Sequence, residues 1–179
     1  VISLRRRYPE TEDLTRIREW IDSGKPVIAV RTASHAFGER EKGAGYQAPA
    51  GHAAWNTFDV DVLGASYQGH YKAEEENPPL HVDAWIETSA SKHPIVKALN
   101  FKEPFKIDDK LYEYINLDPV IEVVLSARYE EGEPKHPIAW TNEKEGKRIF
   151  YMSPAGPDEM ELPQIQSLLK AAVLWGLDG

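Results

Sequence analysis

Gly24-Lys25-Pro26-Val27-Ile28-Ala29-Val30-Arg31-Thr32-Ala33-Ser34-His35-Ala36-Phe37 is the stretch on which the reading of this chain turns. Val27 to Val30 are four consecutive apolar residues, with Gly24 and Pro26 before them and polar residues after. A strand with no polar face must be covered on both sides, as in parallel sheets flanked by helices. In open α/β folds ligands collect beyond the carboxyl ends of such strands. Here that edge receives Arg31, Ser34 and His35 together, so the candidate site is placed there.

Outward from this strand the pattern supports an α/β fold. Leu14, Ile17, Trp20 and Ile21 recur at helical spacing, Glu10, Glu12 and Asp13 sit near the positive helix start, and Gly24 follows its end. Val1 to Leu4 reads as the end of a strand, and Arg5-Arg6-Arg7 as its polar exit. Strand, helix and strand within about 30 residues make a right-handed βαβ unit and imply at least a partly parallel sheet. The chain begins as though inside a strand, so the natural protein is expected to start earlier, and the compartment, periplasm or exterior included, stays open.

Further along, residues 39–51 read as a loop. Trp55, Phe58 and Val62 favour a helix ended by Gly64, although Val60 and Val62 also alternate with Asp59 and Asp61. Tyr67 to Tyr71 form a compact aromatic and histidine cluster before a loop over residues 74–79. His81 to Glu87 alternate as a strand, His93 to Val96 open a turn or short helix, and residues 101–114 read as loop. Val120 to Leu125 form a buried strand, Pro137 to Trp140 and Arg148 to Met152 an antiparallel hairpin, and Leu162 to Trp175 a closing amphipathic helix with Pro163 in its first turn. No internal repeat and no linker divides the chain, so residues 1–179 are expected to form one domain.

Bulk properties narrow the function classes. With 41% hydrophobic and 28% charged residues the composition is that of an ordinary globular protein, and no apolar run approaches the ~20 residues of a membrane span. The net charge of −8 repels phosphate backbones, which argues against nucleic acid as a partner. With no cysteine, disulfides, thiolate metal sites and thiol nucleophiles are excluded.

Several side chains are candidates for chemistry, each with a plainer alternative. Arg31 carries fixed donors suited to a carboxylate, a phosphate or paired sugar hydroxyls, or else makes a structural salt bridge. His35 and His70 have imidazoles suited to proton transfer, or are satisfied structural histidines. Ser34 lies beside His35, but the Gly-x-Ser-x-Gly elbow of serine hydrolases is missing. His35, His52, His70 and His81 with Asp59 and Asp61 would suffice for zinc, yet no spacing such as His-x-x-x-His occurs, and neither a metal nor a cofactor is expected. Trp55, Tyr67, Tyr71 and Tyr112 suit either core packing or stacking on sugar rings.

In order along the chain, Gly24-Lys25-Pro26 with its strand, Phe58-Asp59, Val62-Leu63-Gly64 and Gly69-His70-Tyr71 are followed by His93-Pro94-Ile95, Asp109 and Leu111-Tyr112. Pro137-Ile138-Ala139-Trp140, the Gly146 to Tyr151 strand and the helix ending in Trp175 complete a set that resembles the trehalose-utilisation (ThuA-like) family. The resemblance implies the fold of class I glutamine amidotransferases: a flavodoxin-like three-layer sandwich with a mostly parallel sheet, an antiparallel hairpin and here a shortened amino end lacking a central strand. It also implies a link to sugar catabolism. In the amidotransferases the residue after the Val27 to Val30 strand would be the nucleophilic cysteine, and in many ThuA-like proteins a histidine; this chain has Arg31, so no glutaminase activity is expected. Lys110 stands where the family has an acidic residue, and Pro157 where a histidine often follows the late strand. Two readings result. One is an enzyme acting on a sugar or oxidised sugar by hydrolase- or isomerase-like acid/base chemistry, with His35 and His70 catalytic and Arg31, Ser34, Tyr71, Asp109 and Tyr112 holding the small-molecule carbohydrate. The other is a non-catalytic sugar-binding or protein-interaction domain. An open sheet edge near Val1 further suggests a homo-oligomer.

Overall fold

The computed structural model describes residues 1–39, 47–77 and 81–178. β1 (Val27–Val30) is buried along its whole length. Ile28 and Val30 enter one apolar cluster, while Val27 and Ala29 enter a second on the opposite face. This alternation is the pleat of a strand with a core on each side. Around it lie β2 (Ser66–His70), β3 (Val82–Ile86), β4 (Phe105–Ile107), β5 (Tyr112–Ile115), β6 (Ile121–Arg128), β7 (His136–Asn142) and β8 (Ile149–Met152). The helices are α1 (Thr11–Asp22), α2 (Pro94–Ala98) and α3 (Pro163–Leu177).

Six strands form one sheet in the order β1-β8-β7-β6-β3-β4, and β2 and β5 form a separate antiparallel ribbon. Ile165, Leu168 and Ala172 of α3 and Ile95 and Val96 of α2 pack on one face; Leu14 and Ile21 of α1, with Phe58, Val62 and the ribbon residues Tyr112 and Tyr114, pack on the other. The result is the flavodoxin-like α/β sandwich, with both faces of β1 covered as its unbroken apolar run requires.

The direction of pairing departs from the expected mostly parallel sheet. β1 runs parallel to β8, from Val27 opposite Ile149 to Val30 opposite Met152. The β3/β4, β3/β6, β6/β7 and β7/β8 pairs are all antiparallel. Short connections explain the β6/β7 and β7/β8 pairs, because adjacent strands joined by a few residues can only run antiparallel, whereas a parallel pair needs a long crossover; β3 reaches β4 and β6 through longer segments, so their direction is set by the tertiary fold. Near the amino end, the expected strand over Val1 to Leu4 reduces to one parallel bridge between Ile2 and Ala29, with Ile2 N–H donating to the Ile28 carbonyl at 2.7 Å.

Two local expectations also change. The segment after Trp55 is helical only as a single π-helical turn over Asp59–Leu63. Aspartates divert its ends: Asp61 accepts from Trp55 Nε1 and the Thr57 hydroxyl, and Asp59 accepts from the Val60 and Tyr67 amides. Residues 101–114, expected to be loop, contain β4 and the start of β5. Phe105 and Ile107 are buried against β3, and Tyr112 and Tyr114 are buried while Glu113 and Ile115 are exposed. Such a three- or four-residue strand is stabilised by its partner rather than by its own propensity. Of the two expected loops, residues 40–46 and 78–79 lie outside the described residues; the remainder of each is turn, bend or irregular chain.

Gly64 ends the π-helical turn at φ +82°, and a Cβ there would lie 2.9 Å from Asn142 Nδ2 and 3.1 Å from Ile121 Cδ1. Asn142 is itself tied down, donating to the Val62 carbonyl at 3.0 Å. Gly64→Ala is therefore expected to destabilise the fold by about 1–3 kcal/mol, combining left-handed backbone strain with crowding. The check is urea denaturation, where the midpoint should fall with the slope unchanged.

Candidate functional site

β1 delivers the chain to Arg31, which takes a left-handed backbone (φ +50°) at the start of the 3-10 turn Arg31–His35. For a residue with a Cβ this costs roughly 1–2 kcal/mol and persists only where the surroundings hold it. They do so from below. The Tyr151 hydroxyl donates to the Arg31 carbonyl at 2.7 Å, and the Tyr114 hydroxyl sits 2.5 Å from that of Tyr151. With the Tyr151 proton already committed, Tyr114 is the donor of the second bond, and burial pushes both phenols well above their usual range. Above, Arg31 Nη1 reaches Asp109 at 2.6 Å and Glu159 at 3.8 Å. Gly156 closes over this cluster: a Cβ there would lie 2.5 Å from Arg31 Nη1 and 2.3 Å from Glu159 Oε2.

The second wall is the β2/β5 ribbon. Tyr67 pairs with Tyr114 and His70 with Tyr112, but Gly69 rather than Gln68 faces Glu113, so the register slips by one residue. Residues 67 and 70 would lie on opposite faces of a regular strand, and the bulge at Gln68 brings both to the same one. His70 then packs edge-on against Tyr112 at 4.6 Å between ring centroids. Tyr67 lies between the two histidines, 6.1 Å from His70 and stacked on His35 at 4.9 Å.

Arg31, His35, His70, Asp109 and Tyr112 thus line one cavity of about 290 Å³, with Arg5, Arg6, Thr32, Tyr67 and Lys110. Asp109 and Tyr112 are buried wall residues rather than rim residues. Ser34 is 2% exposed and lies beneath, its hydroxyl 3.0 Å from His35 Nδ1, where it orients that imidazole instead of meeting a ligand. Tyr71 is not part of the group. As the neighbour of His70 it points the other way, its hydroxyl donating to Glu133 at 2.5 Å and its ring packing on His136. Trp55 belongs to the core on the α1 side, under the Arg18 guanidinium. A larger cavity of about 440 Å³ lies at the opposite end of β1, around Asp61, Asn116, Asp118 and Lys144, and contains no imidazole.

Electrostatics distinguish the members. Burial lowers the pKa of His70, and the positive charges of Lys110, Arg31 and Arg5 lower it further. Its Nδ1 is buried without a hydrogen-bond partner, so the imidazolium would leave an N–H unpaired there, and the ring is held neutral. Burial raises Asp109 despite the opposing Arg31 charge, and pushes Tyr112 up to about 12. Among the described residues no three histidine or carboxylate side chains converge as a metal site: His52 lies by the Ala50 carbonyl, His81 pairs with Asp108, and Asp59 and Asp61 cap their own turn. The lining residues that the sequence does not single out for binding are Arg5, Arg6, Thr32 and Lys110, all close to candidate residues or strand ends; Tyr67, a stacking candidate, lines the cavity although alternation alone would place it opposite His70.

An α/β sandwich with a ligand-sized, imidazole- and tyrosine-lined cavity at the carboxyl end of its buried parallel strand is the class these features define. The chain belongs to the ThuA family, described as trehalose utilisation, whose model matches residues 7–176. It is similar in fold to a ThuA-like protein from Bacteroides uniformis (TM-score 0.64, 18% identity, 94% of this chain and 65% of that one). A ThuA-like protein from Parabacteroides merdae is similar too (TM-score 0.57, 18% identity, 93% and 65%). The chain spans about 65% of the length of these two proteins. No curated protein matches it.

Two outcomes are expected from the site's charges. Arg31→Ala should lower stability by about 1–3 kcal/mol, because it leaves the Asp109 carboxylate buried without its cation; adding Asp109→Asn should recover part of that loss in a double-mutant cycle. His70 should titrate below 6.5 by NMR, and Lys110→Glu should move it upward. Since the unfolded histidine binds its proton first as pH falls, His70 lowers stability progressively from about pH 6.5 down to its folded pKa, a slope that His70→Gln should remove.

Proposed function

We propose that the protein binds a small carbohydrate or oxidised sugar in this cavity and moves a proton on it. The observation that carries the reading is the neutral imidazole of His70, held among cations at a ligand-sized opening with a tyrosine packed against it. A neutral imidazole is a base, and positive groups around it stabilise negative charge as it develops on a sugar oxygen, for example when a proton is taken from carbon next to a carbonyl. In this reading His35, held by Ser34 and stacked on Tyr67, returns the proton. Tyr67 offers aromatic surface to a sugar ring, with Tyr112 packed behind it, and Arg31 orients the substrate from the strand end. Membership of a family described as trehalose utilisation agrees with this substrate class. A cavity of about 290 Å³ suits a monosaccharide or one ring of a disaccharide. Arg31 offers no nucleophilic atom where the amidotransferases have theirs, so no covalent intermediate forms there.

A thermal-shift and crystal-soak screen against sugars and keto-sugars, followed by NMR of the mixtures, tests the proposal. A sugar bound in this cavity against Tyr67, with turnover that falls about 10²–10⁴-fold in His70→Gln at nearly unchanged KM, is the expected result. Binding without turnover would favour a sugar-binding domain; no sugar binding at all would overturn the reading.

A further inference from the structure

The cavity's charge is opposite to that of the chain. The protein carries a net charge of −8, yet the cavity is lined by Arg5, Arg6, Arg31 and Lys110, and Asp109 is the one carboxylate among the described lining residues. Two of these cations have work within the fold: Arg6 donates to the carbonyls of Gly38 and Glu39 at 2.8 Å each, and Arg31 pairs with Asp109. Arg5 and Lys110 have no carboxylate partner among the described residues, although acidic side chains outnumber basic ones in the chain by 29 to 21. They also come from distant parts of the sequence, the amino-terminal segment and the turn before β5, and meet at His70, whose pKa their charges depress. These like charges repel one another across the cavity and raise the cost of charging the imidazole, and an anion placed among them adds an attractive interaction with each.

We propose that the ligand of this cavity is an anionic sugar, whose phosphate or carboxylate is held by Arg5 and Lys110 with Arg31 behind them, while its ring lies against Tyr67. The inference rests on the carbohydrate reading for the ring and on the charge distribution for the anion. Lys110 is an ammonium on a flexible stem and Arg5 a planar fork, so together they suit an oxyanion group approached from two sides. Binding of the anion removes part of the field on His70, so the imidazole becomes more basic when the anionic substrate is in place.

Calorimetric titration of the intact protein with glucose, glucose 6-phosphate, gluconate and inorganic phosphate, in low and in 0.5 M salt (about 4 Å of screening length), tests both parts. One or both anionic sugars should bind at least about tenfold more tightly than glucose, with the advantage reduced by salt and by Arg5→Ala or Lys110→Ala, two exposed positions whose truncation leaves the fold intact. The His70 resonance should shift to a higher pKa on binding. Preference for the phosphate or for the carboxylate identifies the anion. Glucose binding as tightly as its anionic counterparts would overturn the anion inference and leave the carbohydrate reading standing. Inorganic phosphate binding as tightly as glucose 6-phosphate, with gluconate and glucose silent, would support the anion site and overturn the sugar. Silence from all four, with His70 unmoved, would overturn the anion inference whatever neutral sugar the wider screen returns.

Discussion

Water reaches neither face of β1, and the rest of the molecule is arranged around that constraint. Each successive side chain from Val27 to Val30 falls into a different core, so helices must lie on both sides and a paired strand must supply the hydrogen bonds. β8 supplies them in parallel register. Parallel pairing aligns the carboxyl ends of β1 and β8, and Tyr151 of β8 thereby lies close enough to hold the Arg31 carbonyl. The strained residue at the strand end is thus fixed by the same pairing that buries the strand.

The cavity follows from three segments meeting at that end. The 3-10 turn after β1 brings Arg31 and His35, the bulged ribbon brings Tyr67, His70 and Tyr112, and the chain before β5 brings Asp109 and Lys110. None of the three suffices alone. Arg31 is compensated from one side by Asp109 and Glu159, two carboxylates that burial would otherwise exclude, while Lys110, Arg31 and Arg5 set the sign of the field at His70. A protein with a negative surface overall then presents one small positive concavity, and focusing by low-dielectric walls makes such a local excess count for more than the net charge.

Elements with a strong, local signature could be read directly from the residues. The unbroken apolar run of β1, the helical periodicity of α1 and α3, the hairpin of β7 and β8, and Gly64 as a helix stop all carry their structure in their own spacing. The family resemblance, resting on ordered motifs along nearly the whole chain, agreed with these. The directions of most strand pairs were not readable in this way, because direction depends on which neighbour a strand finds. The same holds for β4 and β5, which are too short to announce themselves without partners.

The site divides along the same line. Residues attached to β1, Arg31 and His35, were placed by the sequence itself, since a buried strand has only one exit and its next residues must stand at the sheet edge. Tyr71 was misplaced by the same reasoning applied to a cluster: neighbours in a strand point to opposite faces, and only the paired ribbon shows which of His70 and Tyr71 faces the cavity. Tertiary structure alone decided that Tyr67 and His70 share a face, because the one-residue slip at Gln68 is a property of the pairing with β5. It also decided that Arg31 is an ion-pair partner of Asp109, 78 residues away, and that Arg5 and Lys110 meet at one imidazole. Side-chain type and local periodicity are written in the chain, whereas burial, pairing register and the field at a point are sums over neighbours that only folding brings together.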